Sequence, residues 1–285
     1  MPVDREIQEA LGRYRLARPQ ASALRRGGEL LGRGSGSSRE IQDYREYHPG
    51  DDPRHLDWAA YGRSDTPMVR LYREEISPRL QILLDASVSM TAGSPTKPLV
   101  ARQLAMTLAL LSAGLGDAPR IVMLDDERPL RVFEPSEFDR LSALSWEGRA
   151  SLPDLLQTTA LPPAKHARRI VVSDFLYPHD PAALVGRLAV DASALVLIQV
   201  LAQFEADPPL LGGRKLVDVE SREFDDQRLD EETVANYKRR LRALQRGLAE
   251  EARRHGARFV LVVSDGKLDA VCRENLCAAG ILEPA

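Results

Sequence analysis

From residue 80 onward, short apolar runs alternate with longer amphipathic stretches, which is the pattern of a parallel sheet covered by helices on both faces. A short polar turn between the second and third runs leaves no room for a helical crossover, so these two are predicted to form a hairpin with one antiparallel edge strand. The predicted fold class is therefore α/β, a three-layer sandwich around a mostly parallel sheet. The predicted strands are Leu80 to Leu84, Arg120 to Leu124, Leu130 to Phe133, Arg169 to Val172, Ala194 to Val200 and Arg258 to Val263.

Three stretches have helical spacing of their apolar residues. A first helix is predicted from Arg5 to Leu16, and a second, from Pro98 to Ala113, is apolar nearly all round and should lie buried against the sheet. The third, from Glu231 to Arg254, has an apolar stripe on one side and a basic face on the other. The basic face either is solvated, which is the favoured interpretation, or binds an acidic surface. The glycine- and serine-rich stretch from Gly32 to Ser38 is predicted as a connector, because no apolar strand precedes it and it lacks the lysine of a phosphate-binding loop.

The run Leu83-Leu84-Asp85-Ala86-Ser87-Val88-Ser89 ends a predicted buried strand in one carboxylate and two hydroxyls at alternate positions. Such hard oxygen donors suit Mg²⁺, Ca²⁺ or Mn²⁺ and are poor ligands for copper or zinc. Ligands of doubly wound sheets bind beyond the carboxyl ends of the strands. The Asp-x-Ser-x-Ser spacing resembles the metal-ion-dependent adhesion site of von Willebrand factor A domains.

A second motif lies upstream, in Tyr44-Arg45-Glu46-Tyr47-His48-Pro49-Gly50-Asp51-Asp52-Pro53-Arg54-His55-Leu56-Asp57-Trp58 and Val69-Arg70-Leu71-Tyr72-Arg73-Glu74-Glu75. This block, just ahead of an Asp-x-Ser-x-Ser strand, resembles the bacterial family catalogued as domain of unknown function fifty-eight, a von Willebrand A-like group. The resemblance extends from about Gly32 to the C-terminus. It implies a von Willebrand A-like (Rossmann-like) fold for residues 79–285, with residues 1–78 as an N-terminal helix plus a family-specific extension packed on it.

The resemblance also implies a role. Family members are commonly found beside genes for MoxR-type AAA+ ATPases, so the expected function is that of a protein-interaction adaptor or co-chaperone. Its partner would be the ATPase or the client protein of that ATPase. In the adhesion-site relatives, a carboxylate of the partner completes the coordination of the metal.

Two further strands end in Ser-Asp, at Asp174 and at Asp265. With the strand order that the resemblance implies, the Asp174 strand lies next to the Asp85 strand at about 4.8 Å, whereas the Asp265 strand is about 14 Å away. Since Mg²⁺–oxygen bonds are only about 2.1 Å long, Asp174 is predicted to join the site and Asp265 is not.

The threonine that is normally a ligand in the resembled family aligns with Ala150. Ser151 either supplies the missing hydroxyl or caps a helix together with Asp154. The predicted site is therefore a weak one for Mg²⁺, or for Mn²⁺ or Ca²⁺. Its candidate ligands are Asp85, Ser87, Ser89, Asp174 and Ser151.

Two alternatives to a metal-dependent interaction module remain open. A metal-dependent hydrolase or phosphatase of the haloacid-dehalogenase type needs a second aspartate two residues after the nucleophile, and Ser87 stands there. We identify no lysine beside a downstream serine or threonine that would neutralise the transferring phosphoryl group, so we predict no enzymatic activity and no catalytic residues. The other alternative is a metal-free scaffold, in which Asp85 and the serines bond only the backbone amides of their own loop.

Composition narrows the class of partner. A formal charge of −3 gives no reason to expect nucleic acid or an anionic membrane. The longest apolar stretches, Leu104 to Leu111 and Ala194 to Leu201, fall short of the roughly 18 residues that indicate a membrane span. With no signal-peptide pattern at the N-terminus, the chain is predicted to be cytoplasmic. Cys272 and Cys277 are predicted to be reduced thiols.

The acidic and histidine residues of the upstream block allow two interpretations. His48 and His55 lie among Asp51, Asp52 and Asp57, which is compatible with a second metal site. The same carboxylates, with arginines nearby, are also able to form a structural polar network, and this is the favoured interpretation.

The extension from Glu40 to Glu75 contains turn formers followed by the alternating strand pattern of Met68 to Arg73. We predict that it packs on the α/β domain. Limited proteolysis followed by a thermal melt checks this, since loss of the extension without loss of stability would contradict it.

Overall fold

The computed structural model of the protein describes residues 4–17, 41–48, 51, 56–64, 66–72, 80–92, 94–127, 130–162, 167–209, 216–217, 224–225 and 231–285. The chain divides into two compact units. One comprises Met1–Leu24 with Pro78–Ala285, and the other is Arg25–Ser77. The first helix of the chain thus belongs to the unit that contains the main sheet.

The strands are numbered in chain order: β1 (Tyr14–Leu16), β2 (Ile41–Glu46), β3 (Met68–Tyr72), β4 (Leu80–Asp85), β5 (Arg120–Leu124), β6 (Val132–Phe133), β7 (Ala167–Ser173), β8 (Ala192–Leu201), β9 (Leu216–Val217), β10 (Phe224–Asp225), β11 (Arg258–Val263) and β12 (Leu282–Pro284). The helices are α1 (Arg5–Arg13), α2 (Trp58–Ser64), α3 (Thr96–Ala113), α4 (Phe138–Ser142), α5 (Leu152–Thr158), α6 (Pro181–Ala189), α7 (Gln203–Ala206), α8 (Glu231–Arg254) and α9 (Leu268–Val271). Short 3₁₀ turns cover Val88–Thr91 and Pro135–Glu137, and a π-helical turn covers Cys272–Cys277.

The main sheet of the described residues has six strands in the order β11-β8-β7-β4-β5-β6. All neighbours are parallel except β5 and β6, which are antiparallel. The predicted α/β class, the mostly parallel sheet and the antiparallel edge strand are confirmed. This order also makes β7 the immediate neighbour of β4 and puts β11 three strands away, as the resemblance implied.

Side-chain alternation along β4 divides the interior into two layers. Ile82 and Leu84 pack with α1 and α3 on one face, whereas Leu83 packs with α5, α6 and α8 on the other. All six residues of β4 are buried, which places this strand at the centre of the domain. The predicted burial of α3 is confirmed apart from Leu99, which is 47% exposed.

The predicted N-terminal helix is too long at its C-terminal end. Helix α1 stops at Arg13, and Tyr14–Leu16 form β1, which pairs antiparallel with β12 at the other end of the chain. The Tyr14 hydroxyl donates to Asp269 Oδ1 over 2.9 Å, and Arg13 contacts the same carboxylate at 3.0 Å. These contacts join the two ends of the chain. Both cysteines nearby are free, as predicted, and burial raises the pKa of Cys272 to about 12.

The pairing of Asp269 predicts a pH-dependent contribution to stability. The hydrogen bond from Tyr14 and then that from Arg13 lower the pKa of this carboxyl, so the stability it provides is present above the unfolded-state pKa of about 4 and is lost as the pH falls below it. We expect Asp269→Asn to cost no more than about 1 kcal/mol at pH 7, because Arg13 is largely exposed. Urea unfolding at pH 7 and pH 3 checks this, since the difference from wild type should be smaller at pH 3.

The second unit contains the antiparallel pair β2 and β3 and the helix α2. Asp57, just before α2, accepts a hydrogen bond from Ala60 N at 3.0 Å, and Asp51 accepts one from His48 N at 2.9 Å. Both carboxylates therefore accept bonds from backbone amides, and the predicted network with arginines stays a prediction. His55 and Asp52 lie outside the described residues, as does the predicted connector from Gly32 to Ser38.

Candidate functional site

Strand β4 ends in a buried carboxylate. Asp85 is 3% exposed, and its Oδ1 accepts a hydrogen bond from Ser87 N at 2.9 Å while its Oδ2 accepts one from the Ser173 hydroxyl at 2.5 Å. The hydroxyls of Ser87 and Ser89 lie 2.9 Å apart. One carboxylate and two adjacent hydroxyls are thus gathered where the central strand opens into its loop. We call the end of the sheet that bears Asp85, Ser87, Ser89 and the buried Asp174 the Asp85 face.

The charge of Asp85 is not balanced by an ion pair with any cation among the described residues; its partners are an amide and a hydroxyl. Burial, and then the negative charge of Asp174, raise the pKa of Asp85 to about 6. The nearby Tyr177 hydroxyl is buried, and the described residues offer it no hydrogen-bond partner. Its pKa is raised by burial and then by Asp85. The environment of Asp85 is therefore electrostatically suited to an added cation.

Asp174 follows β7 and, unlike Asp85, is paired with a lysine. Its Oδ2 accepts a hydrogen bond from Lys97 Nζ at 2.8 Å, and its Oδ1 accepts one from Leu176 N at 3.0 Å. The side chains of Lys97 and Asp174 are both 0% exposed. The ion pair thus lies wholly inside the protein, next to the Asp85 loop.

Lys97 also reaches two other elements. Its ammonium donates to Glu205 Oε1 at 2.7 Å and to the backbone carbonyl of Ser89 at 3.0 Å. Burial raises the pKa of Glu205 even though Lys97 opposes that shift. The other oxygen of Glu205 accepts from Ala202 N at 2.8 Å, and its backbone carbonyl accepts from the Tyr237 hydroxyl at 2.8 Å. Lys97 therefore connects the Asp85 loop, the end of β7 and α7, which in turn contacts α8.

The loop that carries Ala150 and Ser151 docks on the Asp85 loop through its backbone. Val88 N donates to Gly148 O at 2.7 Å, and Gly148 N donates to Ala86 O at 3.1 Å. Ala150 N is held by Asp126 at 3.0 Å. The Ser151 hydroxyl donates to Asp154 Oδ2 at 2.6 Å and accepts from Asp154 N at 3.4 Å. Ser151 thus caps α5, one of the two roles considered for it, and its role as a ligand stays a prediction.

Gly148 has no space for a side chain. A Cβ atom there would lie 3.1 Å from Ala86 O and 3.2 Å from Asp125 Cα, both backbone atoms. We expect Gly148→Ala to push the two loops apart and to cost about 1–3 kcal/mol of unfolding free energy. Gly12→Ala in α1 is the control, since nothing lies within 4 Å of its Cβ position. Chemical denaturation of the two variants measures the difference, and equal stabilities would contradict the close docking.

The structure brings together most of the predicted site residues. Asp85, Ser87 and Ser89 converge, and Asp174 adjoins them through the pairing of β4 with β7. Asp265 is exposed, beyond the end of β11. Sequence reasoning missed Lys97 and Glu205. A signal for Lys97 was present, because a lysine in the first turn of a helix is unfavourable for the helix dipole unless a tertiary contact compensates.

The donors around Asp85 fit a divalent ion. Two oxygens bound to adjacent positions of Mg²⁺ are about 3.0 Å apart, close to the 2.9 Å between the two serine hydroxyls. Asp85, Asp174, Glu205 and Lys97 sum to a formal charge of −2, from three carboxylates and one ammonium. Within the described ranges, no group of three or more His, Cys, Asp and Glu side chains is arranged to hold a metal. A metal here would depend on the serine hydroxyls, with Asp174 already engaged by Lys97.

Comparisons with known proteins agree with the resemblance seen in the sequence. The family model described as "Protein of unknown function DUF58" matches residues 43–247. An uncharacterised protein of Mycobacterium tuberculosis is 26% identical over 212 residues, which cover 69% of this chain and 67% of that protein. No activity is stated in either description.

Two solved structures are also similar to this chain. An aerotolerance-related membrane protein of Bacteroides fragilis is 15% identical with a TM-score of 0.40, covering 68% of this chain and 94% of that one. BatB of Bacteroides thetaiotaomicron is 15% identical with a TM-score of 0.39, covering 69% and 96%. None of the described helices of the present chain is long and apolar enough to cross a membrane.

Proposed function

This chain belongs to the family of proteins of unknown function DUF58, and we propose that it is a protein-interaction adaptor that binds its partner through the Asp85 face. The observation that carries this proposal is the buried Asp85 carboxylate, which has no ion-pair partner among the described residues and lies beside two hydroxyls 2.9 Å apart. A buried charge is retained at such a cost when a bound group compensates it.

A divalent ion, Mg²⁺ or alternatively Mn²⁺ or Ca²⁺, would be held by Asp85, Ser87 and Ser89. When bound, such an ion supplies an open position for a carboxylate of the partner. Asp85 provides the charge, and the two serines provide neutral oxygens that are oriented by their own hydrogen bond. Asp174 contributes negative charge from the neighbouring strand, and Ser151 stays a candidate ligand from the adjoining loop.

The partner proposed is a MoxR-type AAA+ ATPase or the client protein of that ATPase, following the resemblance in the sequence. Binding is favoured over turnover by the environment of the ionisable groups near Asp85. Lys97, which follows Thr96 and was overlooked in the sequence, is buried and already donates all of its three N–H bonds, so none is left for a transferring phosphoryl group. Exclusion of water from an interface at this face would strengthen a contact between the ion and a partner carboxylate.

The test is co-purification of the tagged protein from its native cell, with Mg²⁺ or with excess EDTA. We expect Asp85→Ala to reduce recovery of the ATPase or client at least about tenfold, while Asp265→Ala, at an exposed position of the same residue type, leaves it unchanged. Circular dichroism shows whether each variant is folded. Equal recovery by wild type, by Asp85→Ala and in EDTA would exclude this face as the binding site. The exposed arginines of α8, Arg239, Arg240, Arg242 and Arg246, would then be the next surface to test.

A further inference from the structure

We propose that the Lys97 ammonium is a tethered cation: it occupies an oxygen cage that would otherwise take a second divalent ion, and it thereby limits the Asp85 face to one exchangeable ion. The cage consists of Asp174 Oδ2, Glu205 Oε1 and the Ser89 carbonyl, at 2.8, 2.7 and 3.0 Å from Lys97 Nζ. This inference deepens the proposed function and rests on it only for the ion at Asp85.

The ammonium of Lys97 is fully coordinated by the cage. A lysine ammonium has three N–H donors and no acceptor, and each of the three acceptors of the cage takes one of them. Lysine is almost never fully buried unless it is paired, and Lys97 is 0% exposed. Two carboxylates and one carbonyl are also the oxygen donors that hard divalent cations bind in proteins.

Lys97 occupies an unfavourable position for a cation in its own helix. It lies in the first turn of α3, where the helix dipole disfavours a positive charge, and no acidic residue is present in that turn to offset it. Local helix stability therefore does not explain a cation at this position. The three contacts outside α3 do explain it, because they neutralise part of the charge of two carboxylates that would otherwise be buried unpaired.

The ammonium of Lys97 also positions the oxygen atoms around it. Its contact with the Ser89 carbonyl fixes the loop in which the Ser87 and Ser89 hydroxyls lie 2.9 Å apart. Its contact with Asp174 is to Oδ2, whereas Leu176 N donates to Oδ1 of the same carboxylate. Lys97 is thus a positioning residue: the hydroxyl pair is preformed without an ion, and Asp174 acts through its charge and not as a direct ligand.

The experiment counts Mn²⁺ ions by calorimetry and follows the thermal midpoint during titration with Mn²⁺. Lys97→Ala removes the ammonium and leaves space in the cage. We expect this variant to have a lowered midpoint that Mn²⁺ at about a hundred times Kd raises by roughly 5–10 °C, with one more ion bound than in wild type. The same variant combined with Asp85→Ala should retain this additional ion, because the cage does not include Asp85.

The matched control is Lys97→Ala/Asp174→Asn/Glu205→Gln, which lacks the ammonium and both carboxylates of the cage. It should fold and show no additional Mn²⁺ ion. If Lys97→Ala is insoluble, refolding with and without Mn²⁺ is the measurement, and folding that depends on Mn²⁺ supports the proposal. Failure to fold with Mn²⁺ while the control variant folds, or an unchanged ion count, would overturn it.

The ion at Asp85 and the tethered cation at Lys97 are tested independently by these ion counts. If wild type binds no Mn²⁺ but Lys97→Ala binds one ion, the cage is supported and the ion at Asp85 is not. If wild type and Lys97→Ala each bind one ion that Asp85→Ala abolishes, the ion at Asp85 is supported and the tethered-cation proposal is wrong.

Discussion

Replacing Lys97 with methionine is expected to lower the free energy of unfolding by about 3–5 kcal/mol, because it leaves two carboxylates buried without their cation. Methionine retains most of the length and apolar volume of the lysine stem, so the loss reports mainly the missing ammonium. For a unit of this size, the corresponding fall in thermal midpoint is roughly 10 °C. Differential scanning calorimetry in EDTA measures it without a contribution from bound ions.

Two control variants test whether the loss of stability in Lys97→Met comes from the carboxylates that are left buried without a cation. Lys238→Met removes a lysine that pairs with Asp207 near the surface, and it should cost no more than about 1 kcal/mol. Lys97→Met/Asp174→Asn/Glu205→Gln removes the whole ion network, and it should recover most of the loss, since neutral replacements of buried ion pairs are often tolerated. A midpoint for Lys97→Met within about 2 °C of wild type would show that the ammonium has no such role.

The short apolar runs predicted the sheet well, because strands that are buried on both faces are apolar at nearly every position. The strands Arg120–Leu124 and Arg258–Val263 have the predicted bounds, and so does helix α8 at Glu231–Arg254. Short connections also determined topology, since the turn after β5 permitted only a hairpin. The pattern of apolar residues was sufficient to predict these elements, because neighbours along the chain determine which of their side chains are buried.

The predicted bounds of an element were wrong where distant parts of the chain meet. Tyr14–Leu16 continue a helical pattern of apolar residues but form a strand, in which they pair with β12 from the opposite end of the chain and bury Tyr14 and Leu16. Tertiary pairing overrides local preference here, and spacing along the sequence carries no information about it. Leu130 was predicted to begin the edge strand, yet the strand begins at Val132.

The candidate site was predicted in part for the same reason. Asp85, Ser87 and Ser89 follow one another within a single loop, so their convergence is a local property that the sequence displays directly. Lys97 and Glu205 are 108 positions apart and meet only through the fold. Their contact changes the role assigned to Asp174. This residue was predicted from strand order to adjoin the metal, and in the structure it is the partner of a buried ammonium.

A further large effect is expected at Asp85 itself. In EDTA at pH 7, Asp85→Asn should be more stable than wild type, because it removes a buried charge whose pKa is raised to about 6 from 3.8. A shift of this size corresponds to a destabilisation on the order of 3 kcal/mol by the ionised carboxylate. We expect a smaller gain of about 1–2 kcal/mol, since the asparagine amide must find an acceptor beside the Ser173 hydroxyl.

The pH dependence has a definite sign. The folded-state pKa of Asp85 lies above its unfolded value, so the stability associated with its protonated form is present at low pH and is lost as the pH rises through about 6. The advantage of Asp85→Asn in EDTA should therefore shrink between pH 7 and pH 5. Urea unfolding at the two pH values measures it.

Divalent ions should reverse the order of the two proteins. Mn²⁺ at a hundred times Kd should stabilise wild type by about 2.7 kcal/mol and Asp85→Asn hardly at all, because the variant lacks the charged ligand. Asp265→Asn, at an exposed position three strands away, should respond to Mn²⁺ as wild type does. Equal stabilisation of wild type and Asp85→Asn by Mn²⁺ would place the ion elsewhere. A gain in stability on losing Asp85, together with loss of the ion, would mean that this carboxylate is kept for binding at the expense of the fold.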